Sequence, residues 1–378
     1  MSLLSFPPSA GNTGECNVNL DLFLKGDDMD TTDNRYRRML PAEWFPQSFV
    51  QLTWPHSATD WAYMLEDVTA CYLRLAFEIA TRSHLLVVTP EPAAVKALIE
   101  EKLPRRAADN ITYFCCPTND TWARDHGFLT VVGTAGVELL DFRFNGWGGK
   151  FEAGLDNAIN GRLFESGLLR GQYVDMLDFE LEGGSIESDG LGTLLATSAC
   201  LLNPNRNAGM DKGQITLRLQ EAFGVERILW LDHGYLAGDD TDSHVDTLAR
   251  FCPDDTIVYV KCHDAADEHY AELQLMEAQL QTFRTACNEP YRLVSVPLPD
   301  AVYDKDGERL PATYANFLIT NTAVLYPTYD QPDKDMEAGR ALQNAFPKYD
   351  VVGVDCRALI RQHGSLHCVT MQYPKGVL

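Results

Sequence analysis

The stretch HLLVVTPEPAAVKALIEEKL, residues 84–103, joins a short apolar run to a longer segment that is rich in Ala, Glu and Lys. The first part, HLLVVTP, has the composition of a buried strand. The second part, EPAAVKALIEEKL, predicts a helix, because Pro92 suits the first turn and most of the following residues are good helix formers. A strand followed by a helix is the unit from which α/β sheets are built.

The same unit recurs on both sides of this stretch. Upstream, five apolar residues share one face of a predicted helix: Met64, Val68, Tyr72, Leu75 and Ile79. Downstream, the predicted strands are ITYFCCP, FLTVV, RILWL, TIVYVKC, RLVSVPLP and DVVGVDC, and NFLITNTAVLYP predicts two short strands. DKGQITLRLQEAFG predicts a helix that ends at a glycine, and a further helix is expected around residues 265–286.

No linker rich in Pro, Ser or Gly divides the chain after residue 38, so residues 39–378 are predicted to form one large α/β domain. Residues 1–38 include the acidic stretch KGDDMDTTDN and show no apolar periodicity. We predict that they form an N-terminal extension at the surface. Periodicity alone does not choose between a doubly wound sheet and a closed repeat.

The net charge of the chain is −23, from 54 acidic and 31 basic residues. This charge disfavours nucleic acid and anionic membranes as partners and favours a small cationic one. No run of 18 apolar residues is present, so no transmembrane segment is predicted. The first residues lack the basic region of a secretory signal, and a cytoplasmic location is expected.

Ten cysteines are present, but no CxxC pair occurs, which argues against a zinc knuckle or a thioredoxin-like site. Most of them lie in apolar runs and are predicted to be reduced structural thiols. Cys368 differs, because it follows polar turn residues in GSLHC near the end of the chain and is expected to be exposed. The adjacent His367 would point away from it in a strand and is a poor candidate for its base.

Three other polar loops interrupt the apolar pattern. TNDTWARDHG, residues 118–127, carries Trp122 and Asp125 between two predicted strands, where α/β proteins often place their sites. ELEGGSIESDGLGT, residues 180–193, carries Glu182 before a glycine pair, and its apolar neighbours suggest a buried carboxylate that needs a cationic or hydrogen-bonding partner. Each loop taken alone could equally be an ordinary turn.

The third loop, GDDTDSHVDTLARF, spans residues 238–251. In an extended chain His244 and Asp246 would point the same way, and we predict that they enter one pocket. His244 is then the best candidate for the base that activates Cys368. A metal site made of this histidine and nearby aspartates is the rival interpretation, although no second histidine stands at ligand spacing.

Together the loops offer a thiol, an imidazole and at least three carboxylates. Several carboxylates would repel the anionic intermediate of peptide or ester hydrolysis. They suit a planar cation such as guanidinium, whose N–H groups pair with carboxylates in a fork geometry and whose carbon they could hold near the sulfur.

The order of the motifs NDTWARDHG, LEGGSIESDG, LNPNRN, GDDTDSHVD, NFLITN and GSLHC resembles that of the agmatine deiminases and bacterial-type peptidyl-arginine deiminases, which belong to the guanidino-group-modifying enzymes. The resemblance covers essentially everything after residue 38. It implies a five-bladed α/β propeller of repeated ββαβ units around a central substrate channel, and it implies no metal or organic cofactor. The turn RQHGSLHC differs from the run of glycines that many plant-type members carry before the cysteine. This difference affects the expected shape of the pocket mouth.

The resemblance also implies roles for individual residues. Cys368 would be the nucleophile and His244 the general acid and base, while Asp125 and Asp246 would grip the guanidinium nitrogens. Glu182 would orient His244, and Trp122 would line the channel. The reaction would release ammonia, pass through a covalent alkylthiouronium intermediate and leave a ureido product.

Agmatine is the expected substrate, because Asp240 or Asp242 could meet the ammonium group at its far end. Free arginine would need a cation for its carboxylate, and the motif loops offer mainly Arg124. Peptidyl-arginine is the second candidate substrate. Two other classes stay open: another Cys-His amidinohydrolase or amidinotransferase, and a non-catalytic acidic binding protein. The sequence neither indicates nor excludes a homo-oligomer.

Overall fold

Short strands are the main elements of the computed structural model, which describes residues 38–378. The strands are β1 Gln47–Thr53, β2 His84–Thr89, β3 Ile111–Cys115, β4 Leu129–Gly133, β5 Gly136–Arg143, β6 Gln172–Glu180, β7 Ile186–Ser188, β8 Thr193–Thr197, β9 Arg227–Leu231, β10 Ala249–Cys252, β11 Thr256–Lys261, β12 Arg292–Pro297, β13 Val302–Tyr303, β14 Arg309–Leu310, β15 Leu318–Ile319, β16 Ala323–Thr328, β17 Asp350–Asp355 and β18 Thr370–Pro374.

Helices of very different length connect these strands. They are α1 Leu65–Ala80, α2 Pro92–Lys102, α3 Arg105–Ala108, α4 Ala123–His126, α5 Gly146–Gly149, α6 Ile159–Glu165, α7 Ser198–Leu201, α8 Lys212–Phe223, α9 Tyr270–Leu280 and α10 Pro332–Ala345. Short 3-10 turns occur at Asp60–Met64, Asp156–Ala158, Gly183–Ser185, Val245–Thr247 and Leu359–Gln362.

Five sheets in residues 38–378 share one pattern, in which an antiparallel pair of strands is followed by a parallel neighbour. The strand orders are β18-β1-β2-β3, β4-β5-β6, β7-β8-β9, β10-β11-β12 and β15-β16-β17, and β13 and β14 form a separate hairpin. A parallel neighbour needs a crossover connection, and α1, α6, α8, α9 and α10 lie in those crossovers. The last strand, β18, pairs with β1, so the two ends of the described chain share a sheet.

The stretch at residues 84–103 forms the elements that its sequence predicts. His84–Thr89 is a central strand that pairs in parallel with both β1 and β3. Pro92 begins α2, and Leu103 ends it in an extended conformation directly before Pro104. A residue before proline avoids the helical region, which explains why the helix ends there. The mixed α/β class that the alternation predicts is therefore confirmed.

Helix α1 shows how the crossover helices pack. Val68, Tyr72, Leu75 and Ile79 are fully buried on one face, and they join a core cluster that includes residues of β1, β2 and β3. Burial of such side chains stabilises the fold by about 1.5–3 kcal/mol each. The opposite face carries exposed charged residues, so the amphipathic pattern decides which side of α1 meets the sheet.

Helix α8 confirms the predicted boundaries. Asp211 accepts a hydrogen bond from the backbone N–H of Gln214, whose side chain in turn accepts from the backbone N–H of Asp211, and this capping box starts the helix. Gly224 ends it with a φ of 66°, which glycine adopts without the cost that a side chain would add.

The helix predicted at residues 265–286 is shorter than expected, because α9 spans only Tyr270–Leu280. Asp267 accepts a hydrogen bond from the backbone N–H of His269 and holds the preceding residues in a turn. Residues 38–378 lie in one compact unit. The predicted extension at residues 1–38 lies outside the described residues, apart from Arg38. None of the helices in the described range has the length and apolar character needed to cross a membrane.

Candidate active site

The segments that connect one sheet to the next carry the predicted catalytic residues. Asp125 lies between β3 and β4, and Glu182 lies between β6 and β7. His244 and Asp246 lie between β9 and β10, and Cys368 lies between β17 and β18. Elements far apart in sequence thus supply one side chain or two each, which is how a rigid scaffold positions a site built from loops.

Cys368 is buried rather than exposed, with 5% of its surface accessible, so the expectation of an exposed thiol is wrong. Its main chain is fixed on both sides, because its carbonyl accepts from the N–H of Arg124 at 3.1 Å and its N–H donates to Oδ1 of Asn316 at 3.4 Å. The thiol lies 3.3 Å from the same amide oxygen. Burial, together with the nearby charges of Asp246 and Asp125, raises the pKa of the thiol well above its ordinary value.

His244 is also buried, and it does not lie in a strand. It precedes the 3-10 turn Val245–Thr247, so the predicted strand geometry is wrong, although the turn still brings His244 and Asp246 to the same place. Nδ1 lies 3.7 Å from Oδ1 of Asp125, and Nε2 has no hydrogen-bond partner in the part of the chain that the structure describes. Burial lowers the pKa of His244 to about 3, so its imidazole is neutral in the free protein.

Two aspartates flank His244, and their surroundings differ. Asp125 accepts hydrogen bonds from Nε1 of Trp147 at 2.9 Å and from the N–H of Gly184 at 3.0 Å. Burial and the charges of Asp246 and Glu182 still raise the pKa of Asp125 well above its ordinary value. Asp246 accepts a 2.6 Å hydrogen bond from His367, and its pKa falls below the ordinary value despite its burial.

Gly184 lies where these groups meet. A Cβ atom built on Gly184 would lie 2.6 Å from Nδ1 of His244, 2.9 Å from an Asp125 oxygen and 3.1 Å from an Asp246 oxygen. Any side chain at this position would therefore displace the imidazole and both carboxylates. The absence of a side chain at Gly184 thus leaves room for three ionisable groups.

Glu182 has the buried cationic partner that its apolar surroundings require. Nε of Arg206 donates to both carboxylate oxygens, at 2.7 and 2.9 Å, and both side chains are almost fully buried. Arg206 comes from the LNPNRN motif. Its Nη1 donates to Asp242 at 2.6 Å, and Lys150 lies 2.9 Å from the other oxygen of Asp242. The carboxylate of Asp242 is thus already neutralised by two cations.

A pocket of about 400 Å³, counting the space open to solvent, lies above Cys368. Its acidic lining residues are Asp60, Asp120, Asp125 and Asp240, and its aromatic ones are Trp122, Trp147 and Phe151. Asp240 and Trp122 therefore lie at the pocket as predicted, but Asp242, His244 and Asp246 are not among its lining residues. None of the described residues that line it is Lys or Arg.

The ring of Trp122 stands against Gly364, where an added Cβ would come within 2.1 Å of it. Gly364, four residues before Cys368, thus makes room for the indole ring that forms one wall of the pocket. The indole N–H of Trp122 donates to Asp120 at 3.0 Å, and the indole N–H of Trp61 donates to the other oxygen of that carboxylate at 3.0 Å. The wall of the pocket is therefore held in one orientation.

Among the residues that the structure describes, two buried groups have the residue types of a metal site: Glu182 with Cys200 and His244, and Glu43 with Glu187 and His367. The potential ligand atoms of each group lie within 4.8 Å of one another. However, Arg206 pairs with Glu182, and Arg250 pairs with both Glu43 and Glu187. A guanidinium already supplies the positive charge at each place, and a divalent cation beside it would be repelled.

The family profile described as Porphyromonas-type peptidyl-arginine deiminase matches residues 39–374. The chain belongs to this family. It is 34% identical to an agmatine deiminase of Stutzerimonas stutzeri, in a match that covers 89% of this chain and 95% of that protein. The family that the motif order predicts is therefore confirmed.

Solved structures of the deiminase family resemble this one closely. A Porphyromonas gingivalis protein, assigned provisionally as an arginine deiminase, has a TM-score of 0.86 and 50% identity over 90% of this chain and all of that one. An agmatine deiminase of C. jejuni, solved with substrate bound, has a TM-score of 0.83 and 37% identity over 91% of this chain and 98% of that one. These likenesses extend over nearly the whole described range.

Several residues of this deiminase site were not predicted from the sequence. Asn316 and Arg206 stand in motifs that the resemblance includes, so their presence in NFLITN and LNPNRN was the available clue. Glu43 and Arg250 contact His367 on the side of its ring that faces away from Asp246, and no local sequence pattern singles them out. Arg124, considered as a partner for a substrate carboxylate, is buried beside Glu43 and Met371 and does not line the pocket.

Proposed function

We propose that this protein hydrolyses the guanidinium group of agmatine to N-carbamoylputrescine and ammonia. The observation that carries the proposal is the set of an imidazole and two carboxylates around Gly184, beside a pocket that also contains Cys368. This set can bind a planar cation and attack its carbon, whereas it would disfavour an anionic tetrahedral intermediate. Relatives that are named agmatine deiminases support the same activity.

Substrate binding prepares the nucleophile. In the free protein Cys368 is a thiol because its pKa is raised, and the raised pKa of Asp125 favours the protonated form of that carboxyl group. A guanidinium between Asp125 and Asp246 lowers the pKa of both Asp125 and Cys368, since it adds a positive charge to a buried acidic site. Asp125 then releases its proton to solvent, and Cys368 transfers its proton to His244.

The thiolate of Cys368 attacks the guanidinium carbon and forms a C–S bond. Protonated His244 gives its proton to one nitrogen, which leaves as ammonia when the C–N bond breaks. The product of this step is a covalent alkylthiouronium, which keeps the positive charge between the two carboxylates. His244 then removes a proton from water as its oxygen adds to the same carbon. The C–S bond breaks, the departing sulfur takes the proton from His244, and the added hydroxyl loses its proton to solvent to give the ureido product.

Glu182 stabilises the protonated form of His244 in this scheme. One of its oxygens lies within 4.8 Å of a nitrogen of His244. Its negative charge is partly neutralised by Arg206, so its effect on the free imidazole is small. The combination keeps His244 neutral before the substrate binds and still allows it to carry a proton briefly during turnover.

The aliphatic chain of agmatine would lie against Trp122, and its ammonium group would meet the acids at the mouth of the pocket. Asp240 is the favoured partner there, because it lines the pocket while Asp242 is engaged by Arg206 and Lys150. Burial raises the pKa of Asp240 to about 6, so its carboxylate is largely ionised at neutral pH.

A ring of the five sheets would give this site its central position. We propose that the sheets form a closed five-bladed propeller around the pocket. The pairing of β18 with β1 supports closure, and so does the origin of the site residues in the connections between successive sheets.

The experiment compares ureido-product formation from agmatine, free arginine and a blocked arginyl peptide, each with the wild-type protein and with Cys368→Ser. Turnover of agmatine that is lost in the variant supports the proposal. Preferred turnover of the peptide would instead assign the peptidyl-arginine deiminase activity that the family name describes. No ureido product from any of the three would refute the proposal.

A second variant tests the substrate end of the pocket. Asp240→Asn removes one negative charge at the mouth and leaves the reacting groups unchanged. It should raise KM for agmatine by about 10-fold and leave the turnover of butylguanidine, which has no ammonium group, nearly unchanged. Equal effects on both compounds would remove Asp240 from substrate recognition.

A further inference from the structure

The two oxygens of the Asp246 carboxylate have different surroundings. Oδ2 accepts a 2.6 Å hydrogen bond from Nδ1 of His367. Oδ1 is buried and has no hydrogen-bond partner within residues 38–378. A buried carboxylate oxygen without a donor is costly, and a guanidinium N–H supplies the strong donor that it lacks. Oδ1 is therefore the oxygen available to a substrate.

The bond to His367 determines the ionisation of Asp246. An ionised carboxylate only accepts hydrogen bonds, so Nδ1 of His367 carries the proton in this pair. Burial alone would raise the pKa of Asp246. The hydrogen bond from His367 and the positive charge of Arg250 outweigh burial, and the pKa of Asp246 is lowered. Asp125 has no comparable partner, and its pKa is raised. The pKa values of the two aspartates are thus shifted in opposite directions before the substrate binds.

The other side of His367 is held as firmly. Nε2 lies 3.1 Å from Nη2 of Arg250 and 2.7 Å from Oε2 of Glu43, and that Nη2 donates to the same oxygen at 2.7 Å. The main-chain N–H of His367 donates to Oδ1 of Asn316 at 2.9 Å. Glu43, Arg250 and His367 are all buried, so water does not compete for these contacts. The ring of His367 has one orientation available.

We propose that His367 is a positioning residue, which holds Asp246 as the ionised member of the aspartate pair and leaves its Oδ1 directed at the substrate. Glu43 and Arg250 hold His367 in turn. This inference rests on the proposed function and adds to it a role for the residue beside the nucleophile. His367 touches neither the thiol nor the substrate in this scheme, and it acts only through Asp246.

Two amide substitutions separate the two sides of the ring. His367→Asn places an N–H donor near the position of Nδ1 and keeps the bond to Asp246. His367→Gln places its amide near the position of Nε2, which keeps the contact with Glu43 and loses the bond to Asp246. His367→Leu loses both contacts. The exposed His263 provides a matched control, His263→Asn.

The experiment measures kcat and KM for agmatine in these variants, and it measures agmatine affinity by calorimetry after adding each substitution to Cys368→Ser. We expect His367→Gln and His367→Leu to weaken binding by about 10- to 100-fold, as the loss of a hydrogen bond to a charged group predicts. His367→Asn should stay within about 5-fold of the parent, because it retains that bond. His263→Asn should have no effect.

A role limited to packing predicts the reverse order, because Gln is closer to His in volume than Asn is. If His367→Gln binds agmatine as well as His367→Asn does, the positioning role is refuted while the proposed function stands. If the wild-type protein does not turn over agmatine and Cys368→Ser does not bind it, the proposed function itself is refuted, and the inference with it.

Discussion

The crowding around Gly184 allows a sharp test, because a single methyl group should disable the site without unfolding the protein. In Gly184→Ala the new Cβ would begin 2.6 Å from Nδ1 of His244, which must retreat by roughly 0.8 Å to reach ordinary contact distance. The oxygens of Asp125 and Asp246 must retreat as well. A misplacement of about 1 Å can cost 100-fold in rate, so we expect kcat/KM to fall by at least about 100-fold.

The fold should tolerate the same change. The backbone of Gly184 does not lie in the left-handed region, so alanine is compatible with its conformation. Overpacking should lower the free energy of unfolding by about 1–3 kcal/mol. Urea unfolding measures this loss, and ureido-product formation from agmatine measures the rate.

Gly161→Ala is the matched control, because an added Cβ there meets no atom within 4 Å. Gly161 lies within α6, where alanine should raise the free energy of unfolding by about 0.5–1 kcal/mol and leave the rate unchanged. A rate within about 3-fold of wild type in Gly184→Ala would contradict the reasoning, because a 0.8 Å shift is expected to cost far more. The reacting groups would then not act from the positions seen in this structure.

Three further predictions follow from the same contacts. Cys368→Ser should bind agmatine and form no ureido product, since it keeps the carboxylates and loses the nucleophile. Arg206→Met should lower the free energy of unfolding by about 3–5 kcal/mol, measured in urea, because it leaves Glu182 as an unpaired buried carboxylate. The affinity of Cys368→Ser for agmatine should rise with pH, because the raised pKa of free Asp125 favours a proton that the bound guanidinium displaces. Calorimetry at several pH values measures that rise.

Each of these predictions has a control or an outcome that would contradict it. Ordinary turnover by Cys368→Ser would end its assignment as the nucleophile. An unchanged urea midpoint in Arg206→Met would mean that Glu182 is neutral in the fold. Adding Asp125→Asn to the Cys368→Ser protein should abolish the pH dependence of binding, and a slope that persists would assign the displaced proton to another group.

Local sequence patterns predicted the helices and strands, because each of these elements depends mainly on residues that are neighbours in the chain. The apolar face of α1, the proline that begins α2 and the capping box of α8 are all encoded within a few positions. The helix expected at residues 265–286 was too long, because Asp267 accepts from the N–H of His269 and holds the residues before Tyr270 in a turn, and the helix ends at Leu280. The strand expected at His244 became a 3-10 turn, because alternation over three residues is compatible with either conformation.

The site residues also divide into properties that the sequence predicted and properties that it did not. Motif order within the family identified Cys368, His244, Asp125, Asp246 and Glu182, and the structure brings the last four into close proximity around the glycine pair. The family resemblance, rather than residue periodicity, supplied that list. Position within a motif does not determine whether a side chain faces the pocket, and Asp240 and Asp242 differ on that point although one residue separates them.

The sequence by itself determined the α/β class, the family and an acidic site with a thiol and an imidazole, because composition, local periodicity and motif order are properties of the chain. Only the tertiary structure decided which charges meet. Arg206 neutralises Glu182, and His367 sets the ionisation of Asp246. Local sequence patterns did not predict these pairs, because each forms between separate segments of the chain. Protonation in a buried site depends on distances of a few ångströms and on exclusion of water, and the fold alone sets both.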